Sequence, residues 1–250
     1  MIASERRNKI IQIVNANGSI RAVEIAKILG VTSETIRKDL LYLNEQGLLK
    51  KEFGGAVAVN EFIELPVDKR TLENQAIKNR IAIRALDYIE NSNVIFIDAG
   101  STLLSLTKLL VPIPHLAVIT NSFKAVQELS DSGNTIYFIG GEVNSITQAT
   151  SGFWSINELN TLKIDIAFLG TSGFQSHNGP CTKIFADAQF KKTVIENSSK
   201  TIVLADHTKF LANAIVQYAD WSEIDLLITD DGITQDLLAD YEKTVEIVVA

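Results

Sequence analysis

"TSETIRKDLLYLNEQGLLKKEFGGA", residues 32–56, starts as a helix and finishes as a hairpin. Thr32 or Ser33 offers a capping hydroxyl, and Ile36, Leu40 and Leu43 at i, i+4, i+7 make one buried stripe. That spacing leaves Ser33, Arg37 and, slightly rotated, Glu34 and Lys38 on the opposite face, in the first two turns. Gly47 closes the helix. Residues 48–52 and 56–59 then flank Phe53-Gly54-Gly55, a hairpin pattern with a glycine tip and with Lys50 and Lys51 on its first arm.

Upstream, Ile10, Ile13 and Val14 have helical spacing that stops at Asn17-Gly18. Ala22, Ile25, Ala26 and Leu29 repeat that spacing and stop at Gly30, where a left-handed residue is usually needed. Residues 1–57 carry nine Lys and Arg against six Asp and Glu, a net of +3; the whole chain is −7, so the remainder is −10. A basic head on an acidic body suits a protein in which only the head approaches a polyanion. The B-DNA major groove admits one α-helix, and Arg37 has the fork geometry to bond a guanine edge. Lys50 and Lys51 would add phosphate contacts that give affinity without specifying sequence. The same residues also permit a protein-docking module with a solvated charged face.

The rest of the chain has another texture. Residues 60–75 contain a proline and mixed charges without a period, and the inter-domain connection is expected at 59–74, after a first domain of 1–58 and before a second of 75–250. From Gln75 the stripe Ile77, Ile81, Ala85, Ile89 leads into short apolar runs: VIFID (94–98), LAVIT (116–120), TIYFI (135–139), IDIAFLG (164–170), TIVLAD (201–206), DLLIT (225–229) and VEIVV (245–249). Near-continuous runs of this length, separated by helical patterns, predict an α/β layer with a mainly parallel sheet buried on both faces.

Several of these runs end in glycines or hydroxyls. In "DAGST" (98–102), Gly100, Ser101 and Thr102 bring N–H groups and hydroxyls to a helix start, which suits a phosphate. "TNS" (120–122), "GGE" (140–142), "GTSG" (170–173) and "DHTKF" (206–210) follow other strands. Strand ends in a doubly wound sheet converge on one crevice, so the set implies a common small-molecule pocket. Lys209 is a candidate cation for a phosphate and equally an exposed lysine at a helix start.

Residues 6–57 resemble the winged helix-turn-helix of the DeoR family of bacterial sugar-metabolism repressors, on the strength of "RRNKII", "VTSETIRKDLLYLNEQG" and "LLKKEFGGA". The resemblance implies DNA contacts from Ser33, Thr35, Arg37, Lys38, Lys50, Lys51, Gly54 and Gly55, with Phe53 standing where His or Tyr often precedes the wing glycines. Residues 75–230 resemble, in the same order, that family's sugar-phosphate-sensing domain, whose fold is like that of ribose-5-phosphate isomerase. This implies a phosphate loop of Asp98, Gly100, Ser101 and Thr102, a second wall of Thr120, Asn121 and Ser122, and contributions from Gly140, Gly141, Gly170 and Lys209. Leu103 stands where another Thr often follows the loop, and Asp187 in "ADAQFKK" replaces the usual Glu, departures that bear on effector identity.

The function expected is a nonenzymatic, cytoplasmic repressor that binds double-stranded operator DNA as a dimer or tetramer and responds to a phosphorylated sugar, without metal or other cofactor. Its rival is a sugar-phosphate isomerase with an accessory head, for which Asp206, Lys209 and Glu142 are the candidate acid–base groups by residue type. His115, His177 and His207 follow no zinc-ligand spacing. Cys181, the only cysteine, excludes an intrachain disulfide and has no local sign of an activated thiolate. Asp230-Asp231-Gly232 reads as a turn, and no G-x-S-x-G is present. No signal-type stretch or membrane span is read.

Overall fold

A computed structural model describes residues 2–17, 19–46, 48–57, 64–89, 94–175 and 177–250. The chain divides into two compact units, residues 1–63 and 64–250.

In the first unit, α1 (Ala3–Asn17), β1 (Ser19–Arg21), α2 (Ala22–Leu29) and α3 (Ser33–Glu45) precede β2 (Lys50–Glu52) and β3 (Gly55–Val57). The stripes pack together: Ile10 and Val14 of α1, Ile25 and Ala26 of α2, and Ile36, Leu40 and Leu43 of α3 close one core with Leu49 and Ala56. Gly30 has φ of 65°, so the α2–α3 turn is made by a residue with no Cβ penalty. Thr32, rather than Ser33, caps α3, its hydroxyl accepting from Thr35 N at 3.1 Å.

The hairpin is tighter than the sequence pattern suggests and is part of a larger sheet. Its tip is Phe53-Gly54; Gly55 already pairs in β3, and β3 is the central strand of an antiparallel order β1-β3-β2. The strand Ser19–Arg21 has no apolar run to announce it. Residues 58 and 59 of the expected second arm lie outside the described residues.

The second unit opens with α4 (Val67–Leu72), so the segment expected as a connection contains a helix, entered from Pro66 with Asp68 in its first turn. Prolines suit such entries because φ is already helical and the missing N–H has no partner there. Then come α5 (Gln75–Leu86), β4 (Val94–Ile97), α6 (Ser101–Leu110), β5 (Ala117–Thr120), α7 (Phe123–Leu129) and β6 (Thr135–Phe138). A small hairpin, β7 (Glu142–Asn144) and β8 (Ala149–Ser151), leads to α8 (Phe153–Leu159), β9 (Ile164–Gly170), β10 (Cys181–Thr182), α9 (Phe185–Glu196) and β11 (Ser198–Leu204). The chain ends with β12 (Val216–Gln217), β13 (Leu226–Thr229), α10 (Gln235–Tyr241) and β14 (Ile247–Val249).

All seven predicted apolar runs are strands of one sheet, ordered β14-β13-β11-β9-β4-β5-β6 with every neighbour parallel. Alternation along each strand feeds two cores. Phe96, Ala167, Leu169 and Val203 face one side with α8 and α9, whereas Ile95, Ile97, Phe168 and Leu204 face the other with α5 and α6. The order runs outward in opposite senses from β4 and β9, so the sheet reverses there and a crevice opens beyond their C-terminal ends.

The wing gives a direct test of the first unit. A Cβ on Gly55 would stand 2.3 Å from Ile20 O and 2.9 Å from Arg21 Cα, backbone atoms that cannot rotate away. Gly55→Ala is expected to break the β1–β3 pairing and cost about 1–3 kcal/mol, measured by urea denaturation.

Candidate functional site

The cationic face of α3 is built from below by a buried carboxylate. Asp39 accepts from Arg6 Nε at 2.6 Å and Arg7 Nε at 3.0 Å, and the Arg7 guanidinium lies 3.6 Å from the Tyr42 ring centroid. The Asp39 hydrogen bond holds the Arg6 guanidinium above its ordinary range. Asp39 thus clamps α1 to α3, and two of the head's cations are spent internally. Arg37 remains out in solvent, its side chain 61% exposed and 3.7 Å from Glu34. Lys38 is exposed, Ser33 and Thr35 are half-buried beside it, and the Thr35 hydroxyl is 2.8 Å from that of Thr32. On the wing, Lys50 pairs with Glu52 at 3.0 Å, Lys51 N donates to Asn44 Oδ1 at 2.7 Å, Gly54 has φ of 83° and Phe53 projects fully into solvent. Helix face and wing therefore lie within one compact unit, although nothing in the sequence pattern marked Asp39 as their anchor.

In the second unit the crevice between β4 and β9 holds a buried ionic network. Asp98, directly after β4, accepts from Ala99 N at 2.8 Å, Gly170 N at 2.9 Å and Lys191 Nζ at 2.7 Å. Lys191 also donates to Gly170 O at 2.8 Å, and Tyr218 Oη donates to the same oxygen at 2.9 Å. Asp187, one turn before Lys191 on α9, lies 3.6 Å from its ammonium and accepts from Thr182 Oγ1 at 2.6 Å. Burial pushes Asp187 upward, partly offset by Lys191. For Lys191 burial acts downward, but Asp187 and Asp98 outweigh it and hold the ammonium charged. Burial raises Tyr218 likewise, so its hydroxyl stays protonated and donates.

The loop residues gather around this network. Gly100 precedes α6, whose first residues are Ser101 and Thr102; both are buried, and neither hydroxyl bonds to protein among the described residues. At the end of the adjacent strand, Thr120 donates to Ile97 O at 2.6 Å and Ser122 caps α7. Asn121 donates from Nδ2 to Thr150 O at 3.0 Å, while its buried Oδ1 has no partner among the described residues. The remaining sequence-named residues follow other strands. Gly140 is held by α8, its N–H donating to Glu158 Oε2 at 3.0 Å, and Gly141 lines a cavity of about 380 Å³ with Glu142, Ser151, Gly152, Phe153 and Trp154. Lys209 sits beyond β11, in electrostatic range of Lys78.

Two sequence departures receive physical meanings. Leu103 is a buried core residue, and its Cδ2 would lie 3.0 Å from a Cβ at Gly170. It packs the loop rather than presenting a group to the crevice. Asp187 is part of the charge network just described. Lys191, which sequence reading passed over, is signalled only by its i, i+4 relation to Asp187 on a helix whose Phe190 and Val194 are buried.

Other titratable groups have structural partners. His207 Nδ1 and N both lie 2.7 Å from Asp230 carboxylate oxygens. The hydrogen bond to Asp230 raises His207; burial would raise Asp230, but its bonds from His207 hold it below the usual carboxylate range. Burial pushes the Cys181 thiol up to about 12, which keeps it protonated. Among the described residues no cluster of three or more His, Cys, Asp or Glu could hold a metal, and no helix is long and apolar enough to cross a membrane.

A helix-turn-helix head with a wing, followed by an α/β unit with a polar crevice at its switch point, defines a DNA-binding regulator with a sensor domain. Comparison with known proteins gives the same division: the DeoR-like helix-turn-helix domain matches residues 6–62, and the DeoR C terminal sensor domain matches residues 73–231. The uncharacterized HTH-type transcriptional regulator YulB of Bacillus subtilis is 35% identical over 93% of this chain and 91% of its own length. The HTH-type transcriptional regulator GolR of Listeria innocua is 32% identical over 97% and 96%, and the glycerol-3-phosphate regulon repressor of Escherichia coli is 29% identical over 92% of each. Ribose 5-phosphate isomerase A of Methanocaldococcus jannaschii overlaps 55% of each chain at 19% identity with a TM-score of 0.41, a partial likeness that carries no further weight. The chain belongs to the DeoR family of transcriptional regulators.

The buried network makes a thermodynamic prediction. Lys191→Met strands Asp98 without its cation and is expected to cost about 3–5 kcal/mol of unfolding free energy. Adding Asp98→Asn to that variant should restore at least about 1 kcal/mol, measured as the coupling in a double-mutant cycle.

Proposed function

We propose that this regulator is a repressor of a sugar-catabolism operon, that it binds its operator as a symmetric homo-oligomer, and that a phosphorylated sugar in the β4–β9 crevice alters that binding. The supporting observation is the end of β4. Among the described residues the hydroxyls of Ser101 and Thr102 and the first N–H groups of α6 have no protein partner, and Asn121 Oδ1, on the loop after the adjacent strand, is a buried oxygen that also lacks one. A buried acceptor left unpaired costs free energy, and a ligand hydroxyl would relieve it. The helix start favours an anion because its free N–H groups and the aligned peptide dipoles point toward it. Together these two features suit a molecule with a phosphate at one end and hydroxyls along its length. The relative whose name mentions glycerol 3-phosphate is consistent with that class.

On the DNA side, exposed Arg37 and Lys38 on α3, with Lys50 and Lys51 on the wing, form the contact surface. One head offers one recognition helix and reads few base pairs, so two copies are needed for two half-sites. An effector changes operator affinity only by as much as it prefers one conformation; about 1.4 kcal/mol of preference is a tenfold change.

The isomerase reading requires an acid and a base at the same sugar carbons. Of its candidates, Glu142 is on the β7–β8 hairpin, whereas Asp206 and Lys209 share the turn after β11, where Lys209 N donates to Asp206 O at 3.0 Å. No sugar-phosphate turnover is expected.

The reading is tested by operator binding. Arg37→Ala should weaken specific binding by about 1–3 kcal/mol while leaving the folding transition in place. An unchanged operator affinity, measured by fluorescence anisotropy at fixed salt, would remove Arg37 from the contact surface.

A further inference from the structure

The second unit begins with a carboxylate placed where a ligand anion would go. Glu64 Oε2 accepts from Ser172 Oγ at 3.2 Å, and Glu64 Oε1 pairs with Arg70 Nε at 3.2 Å. The two charged side chains are only 10% and 19% exposed. Ser172 lies two residues past the end of β9, and Glu64 is near enough to the network to push Asp187 upward. Arg70 also donates to Leu65 O at 3.0 Å, so the same guanidinium fastens both the side chain and the backbone of the entering segment.

Four further bonds hold this segment to the sensor. Val67 N donates to Ile146 O at 3.1 Å, Lys124 pairs with Asp68 at 3.0 Å, and Lys78 Nζ donates to Glu73 O at 2.7 Å and to Arg70 O. Arg70, Lys78 and Lys209 are the cations facing this corner; Glu64, Glu73 and Asp206 are its anions. Glu64 is the anion whose two oxygens take one guanidinium and one hydroxyl, the donor pair that phosphate oxygens take well.

We propose that Arg70 and Ser172 form a second anion-binding position, apart from the start of α6, that Glu64 fills in the free protein, and that a phosphate group claims it by displacing Glu64. The proposal rests on the effector reading above. A dianionic phosphate and the Glu64 carboxylate cannot share one guanidinium in a half-buried corner, because their mutual repulsion is poorly screened there. Phosphate brings more charge and more acceptor oxygens, so it wins at sufficient concentration. Glu64 then leaves with the backbone it anchors. The internal carboxylate also sets the effector threshold, since ligand binding must first free the position.

Inorganic phosphate is the probe, with chloride at equal ionic strength as control, on the full chain and on Glu64→Gln, which keeps the shape and removes the charge. Thermal shift gives phosphate affinity, and hydrogen exchange of residues 64–74 gives the state of the segment. Glu64→Gln is expected to bind phosphate roughly five- to a hundredfold more tightly than the parent. Its 64–74 amides should exchange faster before any phosphate is added, and phosphate should bring the parent to that faster rate. Equal phosphate affinity in the two proteins, with exchange unmoved in both, overturns the displacement and leaves the effector reading standing. If phosphate shifts neither protein beyond chloride, the effector reading falls and the displacement falls with it.

Discussion

The constraint on which the sensor depends is the reversal of strand order between β4 and β9, and the buried Asp98–Lys191 pair that fills the gap it creates. A parallel sheet splayed at that point leaves backbone groups at two strand ends unpaired. Asp98 takes the Gly170 and Ala99 N–H groups, while Lys191 and Tyr218 take the Gly170 carbonyl. One carboxylate and one ammonium thus hold the ends of two strands and one helix in register. The loop leading into α6 is left with its donors facing the crevice. The charges are buried because their neighbours are backbone dipoles and each other, an arrangement whose value lies in position more than in net stability.

The head solves a similar problem with less burial. Its three helices close a small core, ten buried apolar residues among those described. Asp39 supplies a further restraint by gripping Arg6 and Arg7 from α1. The consequence is a division among the head's cations: those on α1 nearest the core are bound by a buried carboxylate, and those on the outer face of α3 and the wing stay exposed, paired at most with exposed glutamates. In both units a buried carboxylate thus holds a framework against which polar groups are presented.

Much of this was legible in the sequence because periodicity records burial. The seven runs from VIFID to VEIVV are buried on both faces, and the stripe Ile36, Leu40, Leu43 is buried on one. What was not legible has specific causes. Strand Ser19–Arg21 has no apolar alternation, since it is an edge strand defined by backbone pairing to β3. Helix Val67–Leu72 was hidden by Pro66 and mixed charge, both of which suit a helix start as well as a connection. Asp39, Lys191 and Glu64 look like ordinary surface residues in sequence, because their roles come from partners 33, 93 and 108 positions away. The glycine and hydroxyl junctions were read as one pocket; Lys209 follows β11, the neighbour of β9, and Gly140–Gly141 follow β6, two strands from β4.

The central claim is that one site for a phosphorylated sugar and one site for DNA are thermodynamically coupled through this chain. Linkage makes the coupling reciprocal, so it is measured most directly by determining effector affinity calorimetrically with and without saturating operator, and operator affinity with and without saturating effector. The account predicts that each ligand changes the other's affinity by the same factor, at least about fivefold. An effector that binds equally well to free and operator-bound protein would contradict it.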